Sequence, residues 1–155
     1  MAADLLEAGQ ELLATAVELR RRLHAYPEIG LELPATQQAV LDAISGLGMD
    51  VTTGTATTSV VAVLEGGQPG PTTLLRGDMD ALPMPEDTGL AFSSTVDGAM
   101  HACGHDGHVA MLVGAAHLLA ARRNELAGRV VLMFQPGEEG YHGAKVMLTE
   151  GLLER

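Results

Sequence analysis

The densest group of chemically capable side chains lies between His101 and His108. This stretch holds three of the six histidines and the single cysteine, Cys103. In a turn before a helix, Cys103 and His105 can converge on one ion, and Zn²⁺, Co²⁺ and Ni²⁺ accept thiolate and imidazole ligands. The start of that helix is expected to lower the pKa of the thiol and favour the ligating thiolate. The alternatives are a buried free cysteine and a cysteine nucleophile beside a histidine base.

Two adjacent acids, Glu138 and Glu139, follow an apolar run that stops at a Gln-Pro-Gly sequence. Neighbours on a regular strand face opposite ways, but on a loop at the end of a strand both can address one cavity. Open α/β sheets place their ligand sites at such strand ends. One carboxylate could then hold a metal while the other takes a proton from the attacking water. Taken alone, the pair also fits two exposed acids in a charged turn.

The remaining polar candidates are less specific. Asp78 and Asp80 are two residues apart at a predicted strand end, so they share a face if the chain is extended. Their spacing alone favours a pair of solvated loop acids. His117 lies among apolar residues and is expected to pack in the core or between helices. His24 is undecided, and His142 is expected at the surface, with a substrate contact as the alternative.

Apolar periodicity, punctuated by glycine and proline, predicts the elements that must position these residues. The predicted helices cover 5–24, 35–47, 107–123 and 144–148, and the predicted strands cover 49–53, 59–64, 72–76 and 130–134. A turn is expected over 66–71 and a long, functional loop over 81–103. Strands that alternate with helices predict an α/β sheet with parallel pairs.

Composition narrows the classes of function. The chain of 155 residues is 46% apolar and 19% charged, which predicts one folded domain and excludes a disordered tail. A formal net charge of −11, few aromatic residues and no Trp argue against a nucleic-acid partner. No apolar stretch reaches the roughly 18 residues of a membrane span. The N-terminus lacks the pattern of a signal peptide, and a lone cysteine fits a reducing compartment, so a cytoplasmic location is expected.

The sequence resembles the amidohydrolase branch of the two-metal aminoacylase and carboxypeptidase G superfamily, which includes hippurate hydrolase and the indole-acetyl-amino-acid hydrolases. The matching stretches occur in the family's order along nearly the whole chain: RRLHAYPE (21–28), LRGDMDALP (75–83), MHACGHDGH (100–108), FQPGEEG (134–140), GAK (143–145) and GLLE (151–154). The resemblance implies an α/β fold in which residues 1–155 form the N-terminal part of a zinc-peptidase-like catalytic domain. A mixed sheet flanked by helices is expected.

The resemblance also implies roles for individual residues. Cys103, His105 and Glu139 match metal ligands, Glu138 matches the general base, and Asp80 matches an acid that supports the metal site from outside. The implied cofactors are two divalent ions, of Zn, Mn, Ni or Co. The implied reaction is hydrolysis of the amide bond of a small-molecule N-acyl amino acid with an aryl or alkyl acyl group.

The resemblance covers only the N-terminal portion of the family. Members are more than twice as long, and they carry two further histidine ligands and an inserted lid or dimerisation domain that these residues lack. The chain is therefore expected to be a truncated form with little or no activity alone, and a homodimer is one option for the full-length form. The alternative is a non-catalytic metal-binding or interaction module that keeps the fold.

Overall fold

The computed structural model describes residues 2–154, and side chains from Asp4 onward. In chain order the elements are α1 (Ala2–Ala25), α2 (Pro34–Ile44), β1 (Asp50–Thr53), β2 (Val60–Glu65), β3 (Gln68–Asp78), α3 (His105–Ala121), β4 (Ala127–Gln135) and α4 (Gly143–Thr149). Short 3-10 helices, which the sequence pattern did not predict, cover Arg123–Glu125 and Leu152–Glu154. Each predicted helix and strand is present with shifted ends. Within the described residues, no helix has both the length and the apolar character needed to cross a membrane.

The four strands form one mixed sheet in the order β1-β2-β4-β3. The β1–β2 and β2–β4 pairs are antiparallel, and only β3 and β4 run parallel. The expected parallel pairing therefore holds for a single pair, while the mixed sheet flanked by helices is confirmed. Helix α3 makes the long crossover that two parallel neighbours require. As a result, the carboxyl ends of β3 and β4 lie side by side at one edge of the sheet.

Alternating side chains of β4 supply two hydrophobic cores. Leu132 and Phe134 point into the main core, where the sheet packs against α1, α2 and α3. Val131 and Met133 point to the opposite face, where they pack against Met147 of α4. Because successive strand residues face opposite sides, β4 is covered on both faces. This packing fixes the strand end from which the acid pair follows.

The predicted turn over 66–71 is wrong in extent, because β3 already begins at Gln68 and continues through Pro69-Gly70-Pro71. The pairing with β4 shifts register between Gln68 and Thr72. Proline has no N–H to donate, so strands tolerate it at sheet edges and bulges. Strand β3 is an edge strand. The glycines and prolines of this stretch favour a turn unless the segment is known to be an edge strand. The sequence does not show which strand lies at the edge of the sheet, so it predicted a turn.

Candidate metal centre

Three chain segments meet at the carboxyl ends of β3 and β4. Asp80 lies just beyond β3, and the N–H of Met79 between them donates to the carbonyl of Gln135 at the end of β4 (2.8 Å). The Glu138–Glu139 pair follows β4 after the Pro-Gly turn. Gly104, with a φ of 78°, turns the chain from the Cys103 segment into α3. This left-handed conformation is one that glycine adopts without a steric penalty.

These segments bring together Cys103, His105 and Glu139, which we call the ligand group. Each residue offers one ligand atom, and these atoms all lie within 4.8 Å of one another. The Nε2 atom of His105 is 4.0 Å from Oε1 of Glu139. His105 is buried, Glu139 is half-buried and Cys103 is exposed, so the group opens to solvent on one side. Sulfur, nitrogen and oxygen donors at this spacing suit a first-row divalent ion.

Asp80 holds two members of the ligand group in place. Its backbone carbonyl lies 2.8 Å from Nδ1 of His105, and its Oδ2 accepts from the backbone N–H of Glu139 at 3.0 Å. Because a carbonyl only accepts, Nδ1 carries the proton, and the Nε2 lone pair is left free to bind a metal. The carboxylate has no solvent exposure. The interpretation of Asp78 and Asp80 as solvated loop acids is therefore wrong, since both residues are buried.

Hydrogen bonds set the direction in which the pKa values of Asp80 and His105 are shifted. Burial by itself raises the pKa of Asp80, but hydrogen bonds from His105 and from the backbone of Glu139 and Glu138 outweigh it, and the pKa lies below its usual value. Burial lowers the pKa of His105, yet its bonds to the Asp80 side chain and backbone raise it overall. An ionised Asp80 thus stabilises positive charge at His105.

The surroundings raise the pKa of the Cys103 thiol, first through its hydrogen bond with Glu139, then through partial loss of water around the exposed side chain and the charges of Glu139, Glu138 and Asp78. The expectation that this pKa would be lowered was wrong, because the acids around the thiol raise it. A thiol surrounded by acids is a poor nucleophile. A divalent cation in the same place would favour the thiolate instead.

A second group, formed by Asp78, His105 and His108, also has ligand atoms within 4.8 Å of one another. In this group Asp78 is already paired, with its Oδ1 2.7 Å from Nε of Arg76 and its Oδ2 3.4 Å from Nδ1 of His108. A guanidinium on the carboxylate repels a divalent ion. His105 has only one free ring nitrogen, so the two groups cannot both use it. The ligand group around Cys103 is therefore the better candidate for a metal site.

The other candidates lie outside the ligand group. The exposed Glu138 is close enough to Cys103 for its charge to raise the thiol pKa. His117 packs α3 against α2, as expected, with Nε2 2.9 Å from the carbonyl of Ala43. His142 is exposed at the start of α4, which confirms a surface position. His24, left undecided by the sequence, is buried and bonded to two acids. One of these, Glu86, was missed because no periodicity or motif marks it.

The fold and the ligand group define an α/β domain with a candidate site for divalent metal at adjacent strand ends. The model of Peptidase family M20/M25/M40 matches residues 74–155. This chain belongs to that family, which confirms the resemblance stated from its motifs.

Three comparisons show how far the similarity extends. Thermostable carboxypeptidase 1 of Saccharolobus solfataricus is 45% identical over 140 residues, which cover 88% of this chain and 36% of that protein. IAA-amino acid hydrolase ILR1-like 2 of Arabidopsis thaliana is 44% identical over 144 residues, covering 93% and 33%. The crystal structure of the Bacillus subtilis YXEP protein, described as a dinuclear metal binding peptidase, has a TM-score of 0.88 and 39% identity, covering 93% and 40%. The chain thus spans about a third of the length of these curated relatives.

Proposed function

We propose that this chain forms the N-terminal part of the catalytic domain of a metal-dependent amidohydrolase that cleaves N-acyl amino acids of the hippurate type. The convergence of Cys103, His105 and Glu139 at adjacent strand ends carries the proposal. The names of two similar proteins support it, one an IAA-amino acid hydrolase and the other a dinuclear metal binding peptidase.

In this proposal Cys103, His105 and Glu139 bind divalent metal, with Zn, Mn, Ni and Co as the candidate ions. Asp80 prepares the site before any ion arrives, because it sets the His105 tautomer and holds the backbone of Glu139. Divalent ions, when bound, polarise a carbonyl and lower the pKa of water. The donor set alone does not choose among the first-row ions, since all of them accept these three ligand types.

Glu138 is the proposed general base. It accepts a proton from the attacking water and later delivers it to the leaving amine as the amide bond breaks. Its exposed position beside the half-buried Glu139 leaves its carboxylate open to water and substrate. In this proposal the two adjacent acids have different roles: Glu139 binds metal, and Glu138 transfers the proton.

The first experiment separates a metal-dependent hydrolase from a cysteine-nucleophile hydrolase. The protein that holds this chain together with the rest of the proposed catalytic domain is assayed on N-acetyl and N-benzoyl amino acids with added Co²⁺ or Mn²⁺. The assay is then repeated with a chelator and with a thiol-alkylating reagent. A metal-dependent enzyme loses its activity to the chelator. Activity that survives the chelator and is lost only on alkylation would refute the metal mechanism. The raised pKa of the thiol favours the metal mechanism.

The Glu138→Gln variant tests the general base and separates the enzyme from a non-catalytic module. We expect the variant to bind metal like the parent chain and to lose hydrolysis, because the amide cannot accept a proton. Equal rates for the two proteins would contradict the role of Glu138. Metal binding by both, with hydrolysis by neither even when the rest of the proposed catalytic domain is present, would favour the non-catalytic metal-binding module.

We also propose a setting for the whole protein: cytoplasmic, with a small-molecule substrate and no nucleic-acid or membrane partner, and with a homodimer as its full-length state. The net charge of −11 supports the absence of a nucleic-acid partner, because an acidic surface repels phosphate. The single cysteine supports a reducing compartment.

A further inference from the structure

Behind the ligand group, a second set of polar and charged side chains lies where the end of α1 meets the start of α3, and all of them except the half-buried Arg20 are buried. It consists of Arg20, His24, Glu86 and Asp106, which we call the His24 network. Oδ2 of Asp106 lies 2.6 Å from Nε of Arg20 and 2.7 Å from Nδ1 of His24. The other ring nitrogen of His24, Nε2, lies 3.2 Å from Oε1 of Glu86. The side chains of His24, Glu86 and Asp106 are between 0% and 4% exposed.

His24 joins two acids in this network, one at each ring nitrogen. Hydrogen bonds from Thr88 and from the backbone of Ser94, and to a smaller extent from His24, lower the pKa of Glu86 to about 2, so this carboxylate only accepts. Oδ2 of Asp106 also accepts from Arg20, so one oxygen serves both partners. Each ring nitrogen of His24 therefore contacts a separate carboxylate, one on either side of the ring. A glutamine side chain has its donors on a single nitrogen and cannot span both acids.

The network joins three separate parts of the chain. Asp106 lies in the first turn of α3, directly after His105 and three residues after Cys103. Glu86 belongs to the loop over 86–96, which is fastened to the end of α1 by two hydrogen bonds from Thr95 to the carbonyl of Ala25 (2.9 and 2.7 Å). The ring of Phe92 in the same loop packs edge-on against His24 at 5.5 Å between ring centroids. His24 is the point where helix α1, this loop and the start of α3 meet.

We propose that His24 is a positioning residue for the metal site: by holding Asp106, it sets the first turn of α3 at the place where His105 and Cys103 can share one ion. His24 touches neither the ion nor a ligand and acts only through Asp106 and Glu86. The inference rests on the proposed metal site. A rigid group behind a ligand lowers the cost of ordering that ligand when the ion binds.

The test is a titration of the 155-residue chain with Co²⁺, followed through the thiolate-to-cobalt charge-transfer band, which reports on Cys103 directly. The variant is His24→Gln, and the matched control is His117→Gln. His117 also joins two helices, but it does so through one ring nitrogen, twelve residues further along α3 than His105. We expect His24→Gln to weaken cobalt binding by about tenfold or more, as for other residues behind metal ligands. The control should bind cobalt like the parent chain.

Thermal unfolding of each protein is measured alongside, so that a loss of stability is not taken for a loss of positioning. Parent-like cobalt affinity in His24→Gln would overturn the positioning role and leave the metal site intact. Equal weakening in both variants, in proportion to their fall in Tm, would overturn it as well. A parent chain without a cobalt–thiolate band would refute the metal site, and the role of His24 with it.

Glu86→Gln serves as the second variant in case His24→Gln does not fold. His24 and the N–H of Ser94 contact different oxygens of Glu86, so the single amide oxygen of glutamine can accept from only one of them, and the NH₂ group faces the other. The substitution also removes the negative charge. A folded Glu86→Gln protein with weaker cobalt binding than His117→Gln supports the proposal. Cobalt binding equal to that of His117→Gln refutes it.

Discussion

Replacing Asp80 by Asn tests the metal centre while leaving all three candidate ligands in place. In the parent chain, Oδ2 of Asp80 accepts from the N–H of Glu139 at 3.0 Å, and Oδ1 lies 3.4 Å from Nδ1 of His105. Both neighbours are donors. The amide of asparagine therefore points its NH₂ group at one of these N–H groups whichever way it is flipped.

The size of the effect follows from which contacts survive. Loss of a residue behind metal ligands typically costs about 10–100-fold in metal affinity, or about 1.4–2.8 kcal/mol at 1.4 kcal/mol per tenfold. In Asp80→Asn, the backbone carbonyl still accepts from Nδ1 of His105 at 2.8 Å, so the histidine keeps its tautomer. We therefore expect the lower part of this range, about 10–30-fold weaker cobalt binding.

The assay is the same cobalt titration, and the matched control is Asp78→Asn. Asp78 is also a buried acid, but it pairs with Arg76 and His108 and makes no bond to Cys103 or Glu139 among the described contacts. Its variant should bind cobalt nearly as tightly as the parent chain. Parent-like binding by Asp80→Asn would refute the orienting role of Asp80. A larger loss in Asp78→Asn than in Asp80→Asn would place the ion on Asp78, His105 and His108 instead.

Two further predictions concern stability. The pKa of Glu86 lies at about 2 in the folded chain, below its ordinary 4.5, so its contribution to stability is present above pH 4.5 and is lost as the pH falls towards 2. The Tm of Glu86→Gln should therefore change less with pH over that window than the Tm of the parent or of the exposed control Glu7→Gln, and parallel curves would contradict this. A Cβ on Gly143 would meet the carbonyl oxygen of Pro136 at 1.7 Å, so Gly143→Ala should lower the free energy of unfolding by about 1–3 kcal/mol in urea denaturation. A neutral Gly143→Ala would show that α4 can shift freely. Gly114 in α3 has open space around it, so the control Gly114→Ala should instead stabilise the chain by up to about 1 kcal/mol.

The sequence alone determined the kinds of element and their order, because these depend on properties of neighbouring residues. Apolar spacing located each helix and strand to within a few residues. The thiol and imidazole of Cys103 and His105 stood out because they share one short, glycine-rich stretch. Ordered motifs along the chain were enough to indicate the family, which the match over residues 74–155 confirms.

Only the tertiary structure decided which strands are neighbours and what surrounds each charge. Part of the predicted proline-glycine turn belongs to strand β3, which tolerates proline because it lies at the edge of the sheet. The carboxylates gathered around Cys103 raised a thiol pKa that the helix start was expected to lower. His24 and Asp106 are 82 residues apart, and they bond because α1 packs against the first turn of α3. Such long-range contacts depend on the packing of whole elements, which local residue patterns do not encode.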